Sequence, residues 1–382
     1  MVAKGDVRMR WFSSRGWVVL VALVFALFSC SDSGDSPPVE DTSQPPVDTA
    51  PPPVDTAPPP ADTAPSPVDT APPPEDTTSS EPAPVQSKAT YEVKVTPKVV
   101  YAQGLTHSGW GADDGVPMDL ILDVYEPIGA PATDKPVLFI VHGGGFKSGS
   151  PTQGQLVQWA NFFTARGFVC FSIDYRVAKF YGTIPANWPT DPEEVQPGMS
   201  LDQLNALYTS GRDAKAALRW VRAHADDYGI HKEAIAAMGG SAGAFLVLML
   251  GVSDEADYGT ELTEAEDPTL SGLHMDESAK VGAVVDLWGG TGLLDALEVL
   301  DGKDRFDATD APIAIIHGTQ DEAVPFEEAE QIKAKYDATG VPYTYNPLDA
   351  GHGAWGEKID GKKLHEYGFG FVVEHLALTE IP

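Results

Sequence analysis

The stretch Ala234-Ile235-Ala236-Ala237-Met238-Gly239-Gly240-Ser241-Ala242-Gly243-Ala244-Phe245-Leu246-Val247-Leu248-Met249-Leu250 decides the reading of this chain. Its first five residues form a short apolar run that suits a buried strand, and its last seven suit a buried helix. Between them, Gly239 to Gly243 reads Gly-x-Ser-x-Gly. Strand, sharp turn and helix make the setting in which a serine is lifted clear of a sheet on strained backbone. Small residues on either side of Ser241 let neighbouring chain pass close by. A glycine-rich chain produces the pentapeptide by chance, so the rest of the sequence must supply what a nucleophilic serine requires.

A serine hydroxyl needs a base, and the base needs an acid to orient it. Downstream, the apolar run Ala311–Ile316 ends in His317-Gly318-Thr319-Gln320-Asp321-Glu322, which places Asp321 in a loop just past a strand end. Pro342–Asn346 then leads to Asp349-Ala350-Gly351-His352-Gly353, with His352 flanked by glycines after the last strand. Of nine histidines, His352 is the expected base. Asp321 is the expected acid, with Glu322 and Asp286 as the alternatives. Upstream, the run Pro136–Val141 is followed by His142-Gly143-Gly144-Gly145-Phe146. Glycines there let backbone N–H groups approach a developing oxyanion. No Gly-Lys-Ser/Thr follows, which argues against a phosphate loop. His142 is expected to brace this loop rather than act as base. No His, Cys and Asp spacing points to a metal, and the chemistry implied needs no cofactor.

Around these motifs the hydropathy pattern alternates strands and helices. Tyr91–Val100 and Met118–Tyr125 read as antiparallel strands, and Phe168–Ile173 and Lys280–Trp288 as buried ones. Gln155–Arg166, Leu201–Tyr228, Glu327–Ala338 and Gly361–Ala377 read as helices. The expected class is α/β, with a mostly parallel sheet covered on both faces and sites at the carboxyl ends of its strands. Two insertions, Val177–Ser200 with Phe180, Tyr181 and Trp188, and the acidic Ser253–Ser278, are expected to act as lids shaping the acyl pocket. The aromatics of the first either stack on a substrate ring or pack as core.

Together, His142–Phe146, Asp174-Tyr175-Arg176, Ala216–Val221, Gly239–Gly243, Asp321 and His352 resemble the α/β-hydrolase superfamily, within it the esterases related to hormone-sensitive lipase. The resemblance covers Tyr91 to the C-terminus. It implies that Gly144, Gly145 and Ala242 donate the oxyanion-hole N–H groups. That family usually carries aspartate where Gly240 stands, and often glycine where Ala244 stands. Gly-Gly-Ser-Ala-Gly, together with Leu122-Asp123-Val124-Tyr125, is closer to the bacterial carbohydrate and feruloyl esterases. The implied activity is hydrolysis of short acyl or aryl esters, including acetyl or feruloyl esters on carbohydrate. A serine peptidase or amidase of the same fold and a non-catalytic cell-surface binding protein are the alternatives.

The chain has 382 residues and a formal net charge of −31. That balance argues against nucleic-acid binding, which needs clustered Lys and Arg. The expected partners are a small-molecule or polysaccharide ester and a membrane. Lys4, Arg8, Arg10 and Arg15 precede an apolar run of twelve residues, Trp17–Phe28. A bilayer span takes about 20 residues, so residues 1–30 fit a secretory signal. Leu27-Phe28-Ser29-Cys30 resembles a bacterial lipobox, which implies lipid attachment at Cys30 and a membrane-anchored protein on the periplasmic face or cell surface. Plain secretion and an uncleaved anchor are the alternatives. Residues 31–88 hold a seven-residue repeat such as Val47-Asp48-Thr49-Ala50, separated by prolines. Proline in each repeat excludes a helix. Without aromatics the stretch buries no core, so it reads as an acidic, disordered stalk. Residues 89–382 are the expected catalytic domain. Cys170, the second of two cysteines, is expected to be buried and inert.

Overall fold

The computed structural model describes residues 81–382. The signal segment, Cys30 and nearly all of the repeat lie outside the described residues. The elements in chain order are β1 (Val85–Gln86), β2 (Glu92–Thr106), β3 (Val116–Ile128), β4 (Lys135–Val141), α1 (Gly154–Thr164) and β5 (Val169–Ile173). Next come α2 (Leu201–Ala223), α3 (Ala225–Tyr228), β6 (Ile230–Gly240), α4 (Ala242–Val252), β7 (Ala283–Leu287), α5 (Gly292–Asp301) and β8 (Ile313–Gly318). The chain closes with α6 (Phe326–Thr339), β9 (Tyr343–Leu348), β10 (Lys358–Ile359), β11 (Lys362–Lys363), α7 (Leu364–His375) and β12 (Glu380–Ile381).

Eight strands form one sheet in the order β2-β3-β5-β4-β6-β7-β8-β9. β2, β3 and β5 pair antiparallel in succession, and every later neighbour is parallel. The central strands are apolar throughout because both faces are covered. On β4, Val137, Phe139 and Val141 join one core with α2, α4, α5 and α6. Leu138 and Ile140 join the other with α1 and α7. Every residue of α4 is buried, as an all-apolar helix requires.

Two expectations are corrected here. The closing helix begins at Leu364, because residues 358–363 form a small antiparallel hairpin first. Ser253–Ser278 does not reach the site. α2 carries Arg212, Lys215, Arg219 and Arg222 at three- and four-residue spacing, hence on one face. Arg212 pairs with buried Asp267, and Lys215 donates to the Asp254 carbonyl. Arg219 donates to Glu255 O at 2.7 Å, and Arg222 to Ser278 O at 2.7 Å. The acidic insertion is thus pinned over this cationic row. At the other end of the sequence, Val85 is fully buried and β1 pairs with β12, a few residues upstream of position 89.

Candidate active site

β6 ends at Gly240 and α4 begins at Ala242, which leaves Ser241 alone at the turn with φ 55° and ψ −128°. That backbone is strained for any residue but glycine, at a cost of about 1–3 kcal/mol. Its surroundings hold it. Ser241 N–H donates to Leu287 O at 2.9 Å. A Cβ on Gly239 would stand 2.3 Å from Gly243 O, and one on Gly243 would stand 2.2 Å from Val141 O. The outer two glycines of the pentapeptide are therefore the ones the crossing demands.

The structure brings the three residues singled out for catalysis together. His352 Nε2 lies 3.0 Å from Ser241 Oγ, and its Nδ1 lies 2.7 Å from Asp321 Oδ2. The other oxygen of Asp321 accepts the N–H groups of Ala323 and Val324, both at 2.9 Å. Asp321 is buried while the His352 side chain is 29% exposed. Neither of the other two carboxylates weighed as the acid bonds His352 among the described residues. Glu322 is exposed. Asp286 is fully buried and accepts the Gly289 N–H at 2.8 Å, while among the described residues its Oδ2 has no hydrogen-bond partner. Burial lifts its carboxyl to about 7. His317 packs beneath the loop with Nε2 on Val324 O at 2.9 Å, and burial lowers its pKa.

The glycine loop after β4 runs along the opposite side of Ser241. Gly144, Gly145 and Phe146 all have positive φ, at 126°, 61° and 59°. Among the described residues no hydrogen bond takes the N–H of Gly144, Gly145 or Ala242. His142 holds this loop from below. It is fully buried, with Nδ1 2.8 Å from Gly143 O and Nε2 3.1 Å from Asp174. The Tyr175 ring stacks on it at 4.2 Å and the Tyr175 hydroxyl donates to His142 O at 2.8 Å. Arg176 continues the brace through a buried pair with Asp213. The Asp-Tyr-Arg motif is thus scaffolding for the loop.

Two cavities flank Ser241. One, of about 270 Å³, is bounded by Phe146, Phe245, Val324 and the turn Gln196–Met199. The insertion Val177–Ser200 therefore does reach the site, through its last residues. Its Trp188 is core, donating to Leu204 O at 3.0 Å and packed on Tyr208 and Tyr258. The second cavity, about 390 Å³, holds His352, Gly353, Trp355, Trp288 and Gln153. The two tryptophans were not singled out in the sequence. Trp288 follows β7 directly and Trp355 lies three residues past His352, and each reads as an ordinary loop aromatic until the fold brings them together.

Comparisons agree with this architecture. The BD-FAE family model matches residues 122–196 and 205–306. Esterase LipC of Mycobacterium tuberculosis is 29% identical over 264 residues, which cover 64% of this chain and 58% of that protein. Probable carboxylic ester hydrolase LipM of the same organism is 28% identical over 51% of this chain and 43% of its own length. The chain thus spans about half the length of these relatives. The propionate-bound structure of a thermophilic esterase from Thermogutta terrifontis superposes with a TM-score of 0.50 at 24% identity, over 75% of this chain and 94% of the other. The fold is that of the α/β-hydrolases. The chain is similar to esterases that share this fold.

Proposed function

We propose that the chain is a serine carboxylester hydrolase for short acyl groups. The observation that carries this reading is the Ser241–His352–Asp321 chain of hydrogen bonds, at 3.0 and 2.7 Å. His352 Nε2 takes the Ser241 proton as Oγ forms its bond to the ester carbonyl carbon. The carbonyl oxygen becomes an oxyanion facing the unengaged N–H groups of Gly144, Gly145 and Ala242. Asp321 steadies the imidazolium. His352 then gives its proton to the alcohol oxygen, the C–O bond breaks, and an acyl-serine remains. Water repeats the sequence and releases the acid.

The direction of proton delivery assigns the two cavities. The alcohol leaves toward His352, so it occupies the cavity that holds this residue. The acyl group takes the one bounded by Phe146 and Phe245. At about 270 Å³ that cavity sits below the usual range of about 300–1,000 Å³ for ligand sites, which favours short chains. The test is hydrolysis of 4-nitrophenyl acetate, butyrate and octanoate. Wild type should turn over the short esters and Ser241→Ala should fall to the buffer rate. Equal rates for the two proteins on every ester would sink the reading.

The N-terminal segment supports a second proposal, that Cys30 is acylated and holds the enzyme on a membrane, spaced by the residue 31–88 stalk. Radiolabelled palmitate should enter the wild-type protein and not Cys30→Ser, which should move to the soluble fraction. Labelling of both, or of neither, would overturn it.

A further inference from the structure

The glycine loop beside Ser241 is held by its carbonyls. A peptide unit is planar and trans, so fixing its C=O also aims the N–H on its other side. Gly143 O takes His142 Nδ1 at 2.8 Å and thereby aims the Gly144 N–H. Gly144 O accepts the N–H groups of Lys147 at 3.1 Å and Ser148 at 3.2 Å, and so aims the Gly145 N–H. Those two donors belong to the loop and travel with it. Phe146 O accepts the Ala178 N–H at 2.8 Å. Gly145 O remains, in the middle of three successive residues of positive φ, a backbone that persists only where its surroundings hold it. It accepts Gln203 Nε2 at 3.0 Å.

Gln203 is the third residue of α2 and half-buried at the rim of the 270 Å³ cavity. Its Oε1 accepts the Ser200 N–H at 3.1 Å and the Ser200 hydroxyl at 2.9 Å, and its own N–H donates to Ser200 Oγ at 3.4 Å. This is a capping box, which glutamate serves as well as glutamine. A carboxylate would also suit the positive end of the helix better. What the amide adds is a donor. Two donors on Oε1 leave its NH₂ facing Gly145 O. The helix start is itself tied down, since Trp110 Nε1 donates to Asp202 at 2.9 Å. We propose that Gln203 is a positioning residue for the oxyanion. It fastens Gly145 O to the start of α2 and so holds the unengaged N–H groups of the loop where the charge develops. This rests on the ester-hydrolase reading above.

Substitution separates the two duties of this side chain. Gln203→Glu keeps the acceptor for Ser200 and loses the donor to Gly145. Gln203→Lys keeps a donor and loses the acceptor. The full-length proteins are assayed on 4-nitrophenyl acetate and titrated with a trifluoromethyl ketone, whose serine hemiketal carries the same oxyanion as the transition state. Gln203→Glu should melt close to wild type and lose about 10- to 100-fold in kcat, the scale of a misplacement of about 1 Å, with KM within about twofold. Its inhibition constant for the ketone should rise by the factor by which kcat/KM falls. Gln203→Lys should melt lower yet keep more of kcat than Gln203→Glu. Activity that instead follows melting temperature through the series makes Gln203 a helix cap alone and overturns the inference. So does a loss confined to KM, or an unchanged ketone constant. An active wild type beside a Gln203→Glu of undiminished kcat sinks this inference only. A wild type that hydrolyses no ester sinks the ester-hydrolase reading, and this inference with it.

Discussion

Asp321 divides its two oxygens between different duties. Oδ2 accepts His352 Nδ1 at 2.7 Å, while Oδ1 accepts the N–H groups of Ala323 and Val324. The carboxylate therefore positions the imidazole and shapes its own loop at once. An amide in its place can keep the two backbone bonds through its oxygen. Its NH₂ then faces Nδ1, which forces the imidazole into the tautomer that cannot take the serine proton. Asp321→Asn should lower kcat by about 10³–10⁴ with the melting temperature nearly unchanged. A loss below tenfold, measured on 4-nitrophenyl acetate, would assign the acid elsewhere.

Gly144 gives a separate handle on the oxyanion. Its φ of 126° disfavours any side chain, and a Cβ there would stand 1.9 Å from Ser148 O. Gly144→Ala must displace the loop that carries the unengaged N–H groups. The expected result is a fall of about 10²–10³ in kcat with little change in KM, because the lost interaction strengthens only as the oxyanion forms. Stopped-flow acylation rates check it. A change confined to KM would remove the loop from the chemistry.

The three residues of the proposed triad were legible because each sits on a local pattern. Ser241 stands between a strand and a helix, Asp321 follows the buried apolar run Ala311–Ile316, and His352 follows the strand that begins near Pro342. Chain order then reproduced spatial order, since parallel strands deliver their following loops to one edge of the sheet. What stayed hidden depends on contacts between segments distant in sequence. Ser253–Ser278 looked like a lid by its polarity, yet the row of cations on α2 that holds it is spread through a helix whose apolar face dominates the pattern. The helix Gly292–Asp301 went unread behind Gly289 and Gly290. Trp355 carries no periodic signal, and its partner Trp288 is 67 residues earlier.

Phe245 bounds the cavity proposed for the acyl group. It stands edge-on to Phe146 with ring centroids 6.1 Å apart and is 4% exposed. Shortening it lengthens the space before Ser241 without touching the alcohol side. Phe245→Leu should cost at most about 1.5 kcal/mol of stability, as hydrophobic swaps of similar volume do. It should also move the best 4-nitrophenyl ester toward a longer chain by one or two carbons. An unchanged chain-length profile would mean that the acyl group points away from Phe245.

Asp286 links stability to pH. Burial lifts its carboxyl to about 7; the Gly289 N–H bond opposes this rise and nearby Glu328 adds to it. An unfolded aspartate titrates near 4, so between about pH 4 and 7 the folded chain holds a proton that the unfolded chain has released. The contribution of Asp286 to stability is then fully present below about pH 4 and is lost as pH rises through 7. A rise of this size corresponds to roughly 4 kcal/mol. Asp286→Asn cannot ionise, and its amide takes the place of a side chain whose Oδ2 has no partner among the described residues. The variant should match wild type near pH 4 and exceed it in urea-unfolding free energy by a few kcal/mol at pH 8. The comparison isolates Asp286, because Glu328, also raised by burial, titrates in both proteins. A constant difference across this range would show that the Asp286 carboxyl ionises at its ordinary pH despite burial.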